Sequence, residues 1–205
     1  MDDGSEITNT SGDDDSADRK HLRADARRNI DDLLAAAMAV FSKSGVDAPV
    51  REIAKEAGVG VGTLYRHFPQ RSDLIKEVFR REIDACADAA ATLSQDNAPF
   101  EALAKWMNRY VAFIAAKRGL GAALHSGDPA YEALPAYFEK KLRPALQGLL
   151  DRAVEAGEIR DGLRPNELLR AVASLSNPAP DVGTDFTDNM MRLMLDGMRR
   201  GAGDK

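Results

Sequence analysis

Between residues 51 and 71 the chain reads REIAKEAGVGVGTLYRHFPQR, which sets Arg51, Thr63, Tyr65, Arg66, His67 and Arg71 among small and apolar residues. The planar fork of arginine matches the paired acceptors on the major-groove edge of guanine. Hydroxyls, imidazole and further cations donate to phosphate oxygens. These residue types therefore suit contact with a polyanion that also carries hydrogen-bonding edges. Chemistry of the bond-breaking kind has no comparable support. There is no glycine-rich phosphate loop and no Cys/His cluster at metal-ligand spacing, so neither catalytic residues, nor a metal, nor a cofactor is expected. His125 with Asp128 is the nearest approach to an acid–base pair, and two polar residues in a surface turn explain it better.

Two short helices are needed to present those side chains. Val50, Ile53, Ala54 and Ala57 recur at helical spacing, and Gly58 interrupts the pattern where a left-handed residue would end the helix. Val61, Leu64 and Phe68 then mark the inner face of a second helix starting at about Gly60. Ala54 allows a close crossing, Gly58 supplies the turn and Leu64 packs back, which is the helix-turn-helix pattern. The alternative is an ordinary helical corner, but the basic and hydroxyl residues fall on the face left outside. An upstream stripe of Ile30, Leu33, Leu34, Ala37, Val40 and Phe41, stopped by Gly45, should brace the motif from behind, with Pro49 in the first turn of the next helix.

GTLYRHF followed by PQRSDL, after an Ala-rich helix ending in Phe, resembles the DNA-binding domain of TetR-family transcriptional regulators over about residues 25–80. Two departures are Gly60, where many relatives carry a capping Ser, and Gln70-Arg71, where Ser-Lys is common. The resemblance implies DNA contacts from Arg51, Gly60, Val61, Gly62, Thr63, Tyr65, Arg66, His67 and Arg71. Gly62 would let the backbone approach the duplex, Thr63 would meet a phosphate or a thymine methyl, and Arg66 would read guanine. Tyr65, His67 and Arg71 would hold phosphates. The alternatives are a core aromatic with a wet hydroxyl for Tyr65 and a plain surface residue for His67.

A net charge of −5 conceals an asymmetry. Residues 1–18 carry seven acidic groups and no Lys or Arg, while residues 19–80 carry twelve cations against eight acids. The basic excess coincides with the motif, as attraction to phosphates requires. Residues 1–20 are expected to form a disordered acidic tail, a solvated segment or, alternatively, a competitor of DNA for the basic face. Arg19, Lys20, His21, Arg23, Arg27 and Arg28 follow as an arm for phosphates or a minor groove, or as a solvated helix start. One cysteine, Cys86, excludes an intramolecular disulfide. With no membrane-spanning run and an acidic N-terminus, a cytoplasmic location and no membrane partner are expected.

The expected fold is all-α. A three-helix DNA-binding domain over residues 21–80 leads into a larger helical domain, residues 81–205, for effector binding and dimerisation. A helix of about twenty residues, ~30 Å long, starts near Gln70 and joins the two. Phe100, Leu103, Met107, Val111 and Ile114, widened by Trp106, Tyr110 and Phe113, form a central helix. A helix from about Leu134 to Ala156 contains Pro144, and two more follow. The resemblance implies an effector cavity lined by Trp106, Met107, Tyr110, Phe113 and His125; ordinary core packing is an equal alternative, since both give the same stripe. Leu168, Val172, Leu175, Met190, Met194 and Met198 are assigned to a four-helix dimer interface. The functional expectation is a homodimeric repressor, released from a palindromic double-stranded operator by a small-molecule effector. The alternative is a constitutive or architectural DNA-binding protein without an effector.

Overall fold

All regular structure in the computed structural model is helical among the described residues, which are 12–116, 127–176, 183 and 185–199. Eight α-helices follow in order: α1 (Gly12–Ser44), α2 (Val50–Glu56), α3 (Val61–His67), α4 (Arg71–Asp96), α5 (Pro99–Ala116), α6 (Leu134–Glu155), α7 (Pro165–Leu175) and α8 (Phe186–Arg199). A 3-10 turn, Pro129–Tyr131, precedes α6. No described helix is long and apolar enough to cross a membrane.

Helix α1 begins at Gly12, so residues 12–20, expected to be disordered, are helical backbone; residues 1–11 lie outside the described residues. Acidic residue types such as Asp13, Asp14 and Asp15 suit the positive end of a helix macrodipole, a local preference that composition alone does not express. The second half of α1 buries Leu33, Leu34, Ala37, Val40 and Phe41. It stops at Gly45, whose φ of 76° is left-handed. Helix α2 ends in a two-bond cap: Gly58 N–H donates to the Lys55 carbonyl at 3.1 Å and Val59 N–H to that of Ala54 at 2.9 Å. Gly58, at φ 66°, makes that closure possible and turns the chain into α3.

Helix α4 has 26 residues, about 39 Å of rise, and so exceeds the expected twenty. One continuous seam along it buries Leu74, Ile75, Val78, Phe79, Ile83, Cys86 and Ala90. Its first half packs on α1 and its length on α5 and α6, so a single apolar core runs through both halves of the chain. The expected boundary at residue 80 therefore falls inside α4. Polar bonds tie the layers at fixed points. Trp106 Nε1 donates to the Cys86 carbonyl at 2.8 Å, the Tyr137 hydroxyl to the Asp84 carboxylate at 2.8 Å, and Arg152 to the Ser94 carbonyl at 2.7 Å. Lys141 pairs with Asp84 at 2.9 Å. The carboxylate of Glu158 accepts from Phe100 N–H at 2.5 Å, which caps the start of α5. Burial pushes the Cys86 thiol up to about 12, with the Arg109 cation opposing the shift.

Trp106 is fully buried, so Trp106→Phe both removes a hydrogen-bond donor and leaves part of the indole volume empty. It should lower the unfolding free energy by about 2–4 kcal/mol. Tyr65→Ala, on an exposed surface, should change it by less than about 0.5 kcal/mol. Urea denaturation followed by circular dichroism checks the pair, and equal effects would show that the α4–α5 contact contributes little.

Candidate nucleic-acid interface and effector cavity

Helix α3 divides cleanly into two faces. Leu64 and the following Phe68 are buried in the apolar core. Outward lie Val61, 41% exposed, and Tyr65, 49% exposed, at i, i+4 spacing, with Gly62, Arg66 and His67 also exposed and Thr63 half-buried. Val61 and Tyr65 thus leave apolar surface on the outer side of this seven-residue helix. Gly60 is the N-cap in extended geometry, with no side-chain cap, and its carbonyl accepts from Thr63 N–H at 2.9 Å. A Cβ added at Gly62 would meet nothing within 4 Å, so packing inside the chain does not require glycine there. Arg51, on α2, is exposed as well. The structure thus brings Arg51, Gly60, Val61, Gly62, Thr63, Tyr65, Arg66 and His67 to the outer surface of the motif. Arg28 is exposed on α1; Arg19, Lys20, His21, Arg23 and Arg27 contribute helical backbone to the same element.

Arg71, also expected to hold a phosphate, is bonded within the chain. Its Nε donates to the Val46 carbonyl at 2.6 Å and its Nη2 to that of Ala48 at 2.6 Å, with a further bond from Nη2 to Val46. The guanidinium also lies 6.0 Å from the centre of the Phe41 ring. Its donors face into the turn between α1 and α2. A cation at a helix start was legible in the sequence, but the direction of a six-atom side chain was not.

A cavity of about 320 Å³ opens between α4, α5, the 3-10 turn, α6 and α7. Phe79, Tyr110, Tyr131, Leu134, Phe138 and Leu169 form its apolar wall, and the exposed Glu139, Asn166 and Arg170 stand among its lining residues. Tyr110 stacks on Trp106 with ring centres 5.8 Å apart and meets Phe138 at 6.1 Å. Burial raises the phenols of Tyr110 and Tyr131 above their ordinary range; at Tyr131 the Asp128 carboxylate adds to the shift and Arg71 opposes it. Of the residues expected to line an effector site, Tyr110 lines this cavity. Trp106, Met107 and Phe113 do not: they are buried behind the wall in the shared core. His125 lies outside the described residues. Tyr131, Phe138 and Leu169 were missed because each sits on a different element, and no spacing rule links them.

The apolar tail is also placed differently. Leu168, Val172 and Met198 are buried within the chain's own core, while Leu175, Met190 and Met194 are half-buried. Residues four apart rotate by about 40° per step on a 3.6-residue helix. The row Met190, Met194 and Met198 therefore winds from the flank of α8 to its inner face, and Met191 joins Met198 inside. Leu193, 64% exposed, lies on the outer side of α8 and was not singled out by the methionine spacing.

Comparison with known proteins agrees with this architecture. Residues 33–78 match the model of the bacterial regulatory proteins of the tetR family, and residues 98–200 match the C-terminal domain of SbtR-like transcriptional regulators. An HTH-type transcriptional regulator of Staphylococcus aureus (strain USA300) is 42% identical over 64 residues, 31% of this chain and 35% of that protein, so the match spans about a third of the curated relative's length. The TetR regulator SCO0520 of Streptomyces coelicolor superposes with a TM-score of 0.68 at 37% identity, over 82% of this chain and 97% of its own. A TetR regulatory protein of Mycobacterium vanbaalenii gives 0.68 at 32%, over 87% and 99%. LfrR of Mycobacterium smegmatis, solved with proflavine, shares the fold at 22% identity, with a TM-score of 0.62 over 84% and 97%. With both halves matched in order and the helix-turn-helix surface intact, the chain is a transcriptional regulator of the TetR family.

Proposed function

We propose that the chain binds a two-fold symmetric DNA operator as a homodimer and acts there as a repressor in the bacterial cytoplasm, released when a small molecule occupies the cavity. The observation that carries this reading is the outer face of α3. Val61 and Tyr65 stay in water while Leu64 holds the helix to its core, and Gly62 leaves the backbone open between them. In a major groove the leading residues would approach base edges, with Arg66 bidentate to guanine and Thr63, Tyr65, His67 and Arg51 on the flanking backbone. The half-buried Met190, Met194 and Leu175 around Leu193 supply an apolar patch for a second copy. The aromatic wall of the cavity suits a ligand with a flat apolar body, held at its polar end by Glu139, Asn166 or Arg170. LfrR with its bound proflavine is a parallel for such occupancy. A ligand can shift DNA affinity only if it binds one conformation of the dimer better than the other.

Selection from a random duplex pool should return a palindrome with half-sites about 34–36 Å apart or a multiple of that spacing. Arg66→Ala should cost about 1–3 kcal/mol on the selected duplex and relax preference at one base pair per half-site. Equal losses on selected and random DNA would remove its reading role.

Leu193→Asp should convert dimers to monomers in sedimentation at micromolar protein, with the helical content of the wild type. A variant that still dimerises would move the interface elsewhere. Ala173→Trp, which fills the cavity from α7, should abolish the thermal stabilisation given by any compound found in a library screen and leave DNA affinity unchanged. Such a compound should also bind the operator complex about 5–150-fold more weakly than the free protein. Equal affinities measured by calorimetry would return the protein to the constitutive reading.

A further inference from the structure

The turn between α1 and α2 has to end one helix, start another and pass beneath α4, and Val46 and Ala48 are both buried within it. Backbone carbonyls in such a turn have no helical partner of their own. Arg71, the first residue of α4, supplies both: one planar group bonds the Val46 and Ala48 carbonyls together, over the Phe41 ring. Bonds from a charged donor are roughly twice as strong as neutral ones, and the fork fixes direction as well as distance. A second arginine joins the same two layers further along. Arg81 donates to the backbone carbonyl of Asp31 and pairs with its carboxylate at 3.2 Å. The two contacts are ten residues apart on α4, about 15 Å of rise. One contact would leave a hinge, whereas two separated contacts determine an angle.

We propose that Arg71 is a positioning residue, which sets the angle of the helix-turn-helix on α4 by clamping the α1–α2 turn and does not itself touch DNA. The half-buried guanidinium serves the fold on its inner side, and the phosphates are left to Arg51, Thr63, Tyr65 and His67. The clamp also lies beside the cavity. The 3-10 turn packs on α4, and Tyr131 within it lines the cavity near enough to Arg71 for that charge to act on its phenol. The DNA arm of the test rests on the proposed function; the exchange arm does not.

Arg71→Lys keeps the charge and loses the fork, while Arg71→Ala loses both. In free full-length protein, amide hydrogen exchange over residues 44–52 should rise roughly tenfold in both variants, with α6 and α7 unchanged. On a duplex selected by the wild type from a random pool, both variants should bind roughly tenfold more weakly, with an unaltered dependence on salt. A phosphate contact gives the opposite pattern: Arg71→Lys binds like wild type, Arg71→Ala lowers the salt slope by about one, and exchange over 44–52 stays put. That pattern overturns the proposal, as does raised exchange with normal DNA affinity. If Arg71→Ala does not fold, Arg71→Lys decides alone, and wild-type exchange and affinity in it overturn the clamp. If the wild type selects no duplex, the proposed function fails, and unchanged exchange in Arg71→Lys still rejects the clamp.

Discussion

One seam of side chains on α4, from Leu74 to Ala90, has to be buried against two partners at once. Its first turns close the core of the three-helix motif, and the remainder closes the core of the larger helical half. The two halves are consequently not independent bodies joined by a tether. Helix α4 therefore contributes buried side chains to both halves of one continuous core. The polar ties at Asp84, Cys86 and Ser94 fall along the second half of this beam, and Arg71 and Arg81 fall along the first.

The cavity occupies the remaining space between these layers. Aromatic rings from three helices meet beside it: Tyr110 lies 6.0 Å from Phe113 and 6.1 Å from Phe138, and Phe79 lies 5.9 Å from Phe113. Its apolar wall disfavours charge, as the raised phenols of Tyr110 and Tyr131 express. Glu139 and Arg170 stay exposed among the lining residues. A ligand with one polar end would keep that end near them and its apolar body against the aromatic wall.

Much of this was written locally in the sequence. Gly58 with Ala54 and Leu64 specified the helix-turn-helix, because its constraints act within a dozen residues. Gly45 and Gln70 marked helix ends for the same reason. What could not be read was the direction in which a stripe faces. Trp106 and Met107 satisfy the same periodicity whether they line a cavity or fill a core, and the contacts that decide come from Cys86, twenty residues earlier, and from α6. Arg71 carried a legible charge and an illegible aim. The methionines of α8 illustrate the limit of spacing: a four-residue interval looks like a stripe but spirals, and only the partner helices show which members turn inward.

The thiol of Cys86 has a practical bearing on all of this. It is buried on the α4 seam, where the Cys86 carbonyl accepts from Trp106, and burial pushes its ionisation up to about 12, which disfavours the reactive thiolate. The native thiol is therefore a poor target for alkylating and disulfide-forming labels. A cysteine introduced at an exposed position, such as Ser42 on α1 or Ser174 on α7, would be the single exposed thiol on the protein. Spin labels or fluorophores could then be placed at will, without first removing the native residue from the core.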